Sequence, residues 1–139
     1  MSSENVEMIR RATDAFNRRD IDGWLAHFDP DIVWYAFPEE PEPGPFQGSE
    51  AIRAMADRWM NLLSEFRIEV KEYIDAGDYV IVPARMIGRI PDSDSEVTVD
   101  EVYVNKCRNN RVVEVRECRT KEEALEAVEL SRQDSTSSP

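Results

Sequence analysis

Apolar residues recur every three or four positions from Glu4 to Asn17, at Val6, Ile9, Ala12 or Thr13, and Phe16, so the spacing predicts a helix with one buried stripe. Asp20 can accept backbone N–H groups as an N-cap, and Ile21, Trp24, Leu25 and Phe28 keep the same spacing up to the Asp29-Pro30 breaker. A short second helix is expected there. Asp31 to Phe37 is β-branched and aromatic, and alternation places Val33, Tyr35 and Phe37 on one face with Ile32 and Trp34 on the other. Residues 38–45 hold four prolines and three glutamates, which remove backbone donors and repel one another, so an exposed loop follows. Ser49 can cap a third helix reaching about Leu63, with Ile52, Met55, Ala56, Trp59 and Leu63 as its buried stripe.

Beyond that helix the period falls to two. Phe66 to Asp75 sets Ile68, Val70 and Ile74 against Arg67, Glu69, Lys71 and Tyr73, and Ala76-Gly77-Asp78 turns the chain into the apolar run Tyr79 to Ile90. Pro91 to Ser95 makes a second turn, Glu96 to Cys107 alternates again, Asn109-Asn110 makes a third, and Val112 to Arg119 forms the last strand. Thr120 then starts a helix whose Glu123 can complete a capping box, and the polar stretch Ser131 to Pro139 is expected to fray. Two helices, a strand, a helix, four antiparallel strands and a closing helix make an α+β domain over residues 1–130, with helices gathered on one face of a curved sheet.

Composition narrows the partners. Lys and Arg total 17 against 29 Asp and Glu, a net charge of −12, which disfavours a phosphate backbone or an anionic lipid surface. Neither nucleic acid nor membrane is an expected partner. No stretch has the roughly 18 consecutive apolar residues of a membrane span, and the first residues lack the apolar run of a signal peptide. With two cysteines set near opposite ends of the last hairpin, Cys107 and Cys118 are expected to be free thiols in a reducing cytoplasm.

The stretches Asn17 to Val33 (NRRDIDGWLAHFDPDIV), Phe46 to Ile52 (FQGSEAI) and Arg111 to Leu125 (RVVEVRECRTKEEAL), in this order of elements, resemble the nuclear transport factor 2-like superfamily and within it the SnoaL-like and ketosteroid isomerase-like proteins. The resemblance spans about residues 5–130 and implies a cone: a curved, mixed, mostly antiparallel sheet with helices packed on its concave face. Fold alone selects no chemistry, because this superfamily houses isomerases, cyclases, dehydratases, epoxide hydrolases and non-catalytic binders. The resemblance places the helical tyrosine of a ketosteroid isomerase at Ala12, its base at Tyr35 and its late-strand acid at Tyr103. None of the three residue types is kept, which disfavours steroid isomerisation by that route.

Other carboxyls are available. If Arg108 to Asn110 form a three-residue loop, Tyr103 lies opposite Val115, Glu101 opposite Glu117 and Val99 opposite Arg119, so two carboxyls and an arginine share one face. A two-residue Asn109-Asn110 turn instead sets Arg119 opposite Asp100 and Arg116 opposite Tyr103, which satisfies cross-strand charge pairing. In the first register Glu101, Glu117 and Arg119 are candidates for acid–base work assisted by Tyr35 and Tyr103. Met55, Trp59, Phe37, Phe16 and Val115 are then candidate ligand contacts, although an aromatic stripe at these spacings equally serves to fill a core.

The chemistry expected is therefore binding of a small, largely apolar molecule, with isomerase-, cyclase- or dehydratase-type proton transfer. The alternative is a non-catalytic dimeric module. Glu101 with Glu117 and Arg119 also resembles the carboxylate and arginine set of the limonene epoxide hydrolases. One histidine, His27 at the end of the second helix, and two separated cysteines indicate no zinc site, and no glycine-rich phosphate cradle indicates a nucleotide, so no cofactor is expected. Tyr79 to Met86 and Val97 to Val104 are apolar on both parities, which predicts a symmetric homodimer through the outer sheet face.

Overall fold

The computed structural model describes residues 2–137, with side-chain surroundings for 4–133. Its elements are α1 (Ser2–Asn17), α2 (Ile21–Leu25), β1 (Phe28–Tyr35), β2 (Phe46–Gln47), α3 (Ser49–Leu62), β3 (Ser64–Val70), β4 (Ile74–Ala76), β5 (Tyr79–Arg89), β6 (Glu96–Arg108), β7 (Arg111–Cys118) and α4 (Lys121–Ser137). The sheet is curled and unclosed in the order β2-β1-β7-β6-β5-β3, with β4 also on β5. Only β1 against β7 is parallel among these pairings.

Several boundaries differ from expectation for identifiable reasons. Asp29-Pro30 does not end a helix but lies inside β1, and the ladder to β7 is irregular between Phe28 and Val33, where Pro30 has no N–H to give. The strand expected over 66–75 divides after Val70: Lys71 donates to the Pro83 carbonyl, and Pro83 cannot donate in return. Ser49 is the first helical residue and not the cap. Gly48 holds that place at φ 89°, a left-handed conformation suited to glycine, and makes no side-chain cap bond. Thr120 does cap α4 by accepting from the Glu123 N–H, while Glu123 reaches back to the N–H of Arg119 and not to that of Thr120. The helix continues to Ser137, through most of the stretch expected to fray.

The motif between the first helices is structural. The Asn17 side-chain amide donates to Ile68 O at 2.8 Å and accepts from Ile68 N at 2.9 Å, continuing the ladder at the outer edge of β3. Asp20 accepts from Gly23 N at 2.9 Å, and a Cβ at Gly23 would lie 2.3 Å from the Asp20 carboxylate.

Helices α1, α2 and α3 cover one face of the sheet, burying Ile9, Ala12, Phe16, Trp24, Ile52 and Met55 against Ile32, Val80, Val82, Val112 and Val115. The fourth does not join them, which corrects the expectation of all helices on one face: α4 lies on the other, where Ala124 and Val128 cover Tyr79, Ile81, Val102, Val104 and Cys118. The apolar outer strip from which a homodimer was expected is therefore buried within the chain. Farther along, that face is charged, with Asp100 accepting from Arg85 at 2.9 Å and Lys71 at 3.2 Å. No helix of the described residues is long and apolar enough to cross a membrane.

Candidate functional site

The last hairpin decides which side chains face inward. Asn109 and Asn110 both have positive φ, 51° and 63°, and join Arg108 to Arg111 by the two-residue turn. That turn alone would give the charge-paired register. However, Cys107 pairs with Val112 while Lys106 pairs with Glu114, so Val113 is an extra residue and every later pair is shifted by one. Arg116 therefore faces Val104 and Glu117 faces Tyr103, which corrects both expected registers. The parity matches the first of them: Glu101, Tyr103, Glu117 and Arg119 all line one cavity.

That cavity has a volume of about 250 Å³ and lies between the sheet and α1–α3. Its wall is aromatic. Phe16 and Trp24 meet edge to face with centroids 4.9 Å apart, as do Trp24 and Phe28, and Trp34 meets Tyr103 at 6.0 Å. Of the expected contacts, Met55, Trp59, Phe37 and Phe16 line it; Val115 does not, being 1% exposed and packed behind the wall. Ala12, at the isomerase tyrosine's position, also lines it.

Tyr35 is outside, which corrects the expectation of a phenol there. In the parallel β1–β7 pair Trp34 aligns with the inward Val115, so Trp34 faces the cavity and Tyr35 faces away, with the Arg116 guanidinium 4.1 Å over its ring. Sequence reasoning placed Trp34 on the opposite face, and the alternation of Ile32 and Trp34 was the one signal available. His27 is also outside, and burial together with the Arg11 charge holds its pKa below the usual value rather than favouring a cation. Cys107 and Cys118 are free and buried, with burial pushing their thiols up to about 12 and about 11.

The polar side chains of the lining form a strip along β6 and β7. Tyr103 donates to Glu101 Oε1, and the Trp34 indole donates to Glu117 Oε2 at 2.7 Å. Asn105 donates to Val80 O at 3.2 Å, which leaves its side-chain oxygen open to the cavity. Burial raises the pKa of Glu101 above the ordinary carboxylate value, with the Tyr103 hydrogen bond and Arg119 acting against the rise. Burial raises Glu117 as well, the Glu101 charge adds to it, and the Trp34 indole and Phe37 N–H oppose it. Tyr103 is pushed well above 10 by burial and by both glutamates, so it stays a neutral donor. Both carboxyls thus hold their protons more tightly than ordinary carboxyls do.

The proline and glutamate loop lies at the mouth of the cavity. Arg119 bonds to Glu39 and sits 3.5 Å over the Phe37 ring, Glu40 lines the cavity, and Arg58 pairs with Glu42 at 3.4 Å. Among the described residues no group of three His, Cys, Asp or Glu side chains is placed to hold a metal ion.

A curled, open sheet and three helices enclosing an aromatic cavity with a carboxyl pair in its lining define an α+β cone of the ketosteroid isomerase-like kind. The chain belongs to the SnoaL-like domain family, whose model matches residues 9–115. A search among curated proteins by sequence found no match. Among solved structures, Bal32a from a soil-derived mobile gene cassette is 24% identical over 91% of this chain and 96% of its own, with a TM-score of 0.78. TerC, crystallised with polyporic acid, is 22% identical over 91% and 98%, with a TM-score of 0.74. A protein of this fold from Catenulispora acidiphila, in complex with trimethylamine, is 15% identical over 86% and 90%, at 0.71.

Proposed function

We propose that the cavity binds a small, largely apolar molecule and moves a proton on it, with Glu101 and Glu117 as acid and base. The observation that carries this reading is a pair of carboxyls, Glu101 buried at 7% exposure and Glu117 half-buried, lining an aromatic cavity. An ionised carboxyl there takes a proton from a carbon next to a polarised C=O group, and its protonated partner supplies one to the developing oxyanion; return at another carbon gives an isomerisation. Tyr103 and Trp34 hold the two carboxyls in place. Arg119, bound to Glu39 at the mouth, is less suited to the water-holding role of an epoxide hydrolase.

Two of the similar structures hold small molecules, one with polyporic acid and one with trimethylamine, which supports a ligand in this cone. The test is displacement of the neutral dye N-phenyl-1-naphthylamine by cyclic and unsaturated ketones, followed by NMR detection of deuterium uptake from D2O. Uptake by wild type, lost in Glu101→Gln and Glu117→Gln, supports proton transfer. Binding without uptake supports a binding module. A symmetric homodimer is also part of this proposal, with the sheet's outer face now the charged stretch beyond α4; light scattering at twice 16.0 kDa supports it, and a particle of 16.0 kDa refutes it.

A further inference from the structure

The hydrogen bonds around the carboxyl pair are unevenly supplied. Tyr103 is engaged with Glu101, Trp34 with Glu117 and one N–H of the Asn105 amide with Val80 O, which leaves the second Asn105 N–H and the proton shared by the carboxyl pair as the strip's donors. Acceptors outnumber them: the carboxyl oxygens of Glu101 and Glu117 and the side-chain oxygen of Asn105, a residue 7% exposed. The excess of acceptors favours a ligand that brings donors or positive charge.

The charges in the lining are as uneven. Glu40, Glu101 and Glu117 face the cavity with Arg119 as the one cation among them, and Arg119 is already held by Glu39 and the Phe37 ring. Helix α1 brings Ile9, Ala12, Thr13 and Phe16, α3 brings Met55, Ala56 and Trp59, and β5 brings Val82 and Met86, none of them charged. Among the described residues, Arg119 at the mouth is thus the one cation in the lining with the carboxyl pair. Around it stand aromatic rings, whose faces attract cations, and the protein's charge of −12 draws cations toward the opening.

We propose that the ligand carries a cationic head, a tertiary or quaternary ammonium on an apolar body, seated between Glu101, Glu117 and the rings of Trp34 and Tyr103. This rests on the small-molecule reading above and adds the charge class of the substrate. An anionic head finds no unpaired cation here, and a neutral head brings no charge to meet the excess of carboxyls in the lining. Because both carboxyls are held partly protonated by burial, a cation between them expels a proton, so its binding strengthens as pH rises.

The probe is benzyltrimethylammonium, which has no ionisable proton, compared by isothermal titration calorimetry with its neutral carbon isostere neopentylbenzene and with phenylacetate. We expect the cation to bind at least tenfold more tightly than the isostere at pH 8, to weaken at pH 6, and to release protons, read as a heat that depends on the buffer. The Glu101→Gln/Glu117→Gln double variant, near-isosteric and uncharged, should bind cation and isostere alike. Equal binding of cation and isostere to wild type, or tighter binding of phenylacetate, overturns the inference. If the isostere binds and the carboxyls titrate high, the acid–base reading survives that result; if no probe binds, both fall.

Discussion

The indole Nε1 of Trp34 donates to Glu117 Oε2 at 2.7 Å, joining the first strand in the chain to the last, its parallel neighbour in the sheet, on the cavity wall. The donor matters because Glu117 is half-buried beside a second carboxyl, where each hydrogen bond to its ionised form offsets desolvation. Trp34→Phe should raise the Glu117 pKa further and cost about 1.5–3 kcal/mol at pH values above the folded pKa of about 8, where Glu117 is ionised, the range for a hydrogen bond to a charged group. Urea unfolding and carbon-detected NMR of the glutamate carboxyls measure both effects. In a Glu117→Gln background the cost should fall by about 1 kcal/mol through coupling; strict additivity would mean that the two side chains do not interact.

The same carboxyls give stability an unusual dependence on pH. A carboxyl whose folded pKa is raised binds its proton more tightly in the native state, so its contribution is fully present below the unfolded value near 4.5 and is lost as pH rises through the folded value. With the pair pushed up to about 7 and about 8, stability should decline between pH 5 and pH 8, at up to about 1.4 kcal/mol per pH unit for each proton held. Glu101→Gln/Glu117→Gln should flatten that slope and be more stable than wild type at pH 8. A wild-type melting temperature unchanged over this range would show that the carboxyls titrate normally.

Much of the core was legible because periodicity names the buried stripe of a helix whatever it packs on: Phe16, Met55 and Trp59 reach the cavity as their spacing implies. Strand faces were legible only up to a choice between two. Tyr35 and Trp34 exchanged places because the inward face of β1 is fixed by its parallel alignment with β7, a contact far away in sequence. The fourth helix misled for a related reason, since Ala124 and Val128 are small and the apolar sheet they cover read as a surface for a second subunit. The pairing of Arg119 with Glu39 spans 80 residues and leaves no local trace.

Gly23 lies in a helical turn, where alanine ordinarily helps by about 1 kcal/mol. Here the sign reverses, because a Cβ would stand 2.3 Å from the Asp20 carboxylate that caps the same turn. Gly23→Ala should lose that cap and cost about 1–2 kcal/mol by chemical denaturation. A stabilised variant would mean that Asp20 can turn away at no cost.

Val113 is the residue left over in the β6–β7 ladder, and its removal tests why the carboxyl pair faces inward. With it present, the Asn109-Asn110 turn and the inward Glu117 are compatible only through a bulge. Without it, Cys107 still pairs with Val112, and Lys106 then meets Glu114 in a regular ladder, so every pair from Glu114 to Cys118 keeps its partner. Deleting Val113 should therefore leave a folded protein in which Glu101 and Glu117 still titrate high, with a stability change of about 1–3 kcal/mol from the side chain lost. Deleting Asn105 from the partner strand has no such slack: β6 pairs without interruption to β5 from Glu96 to Lys106, so one flank must reverse its faces and either Glu101 or the core loses its place. Equal damage from the two deletions, read by thermal melting and carboxyl titration, would show that the bulge is not what sets the face of Glu117.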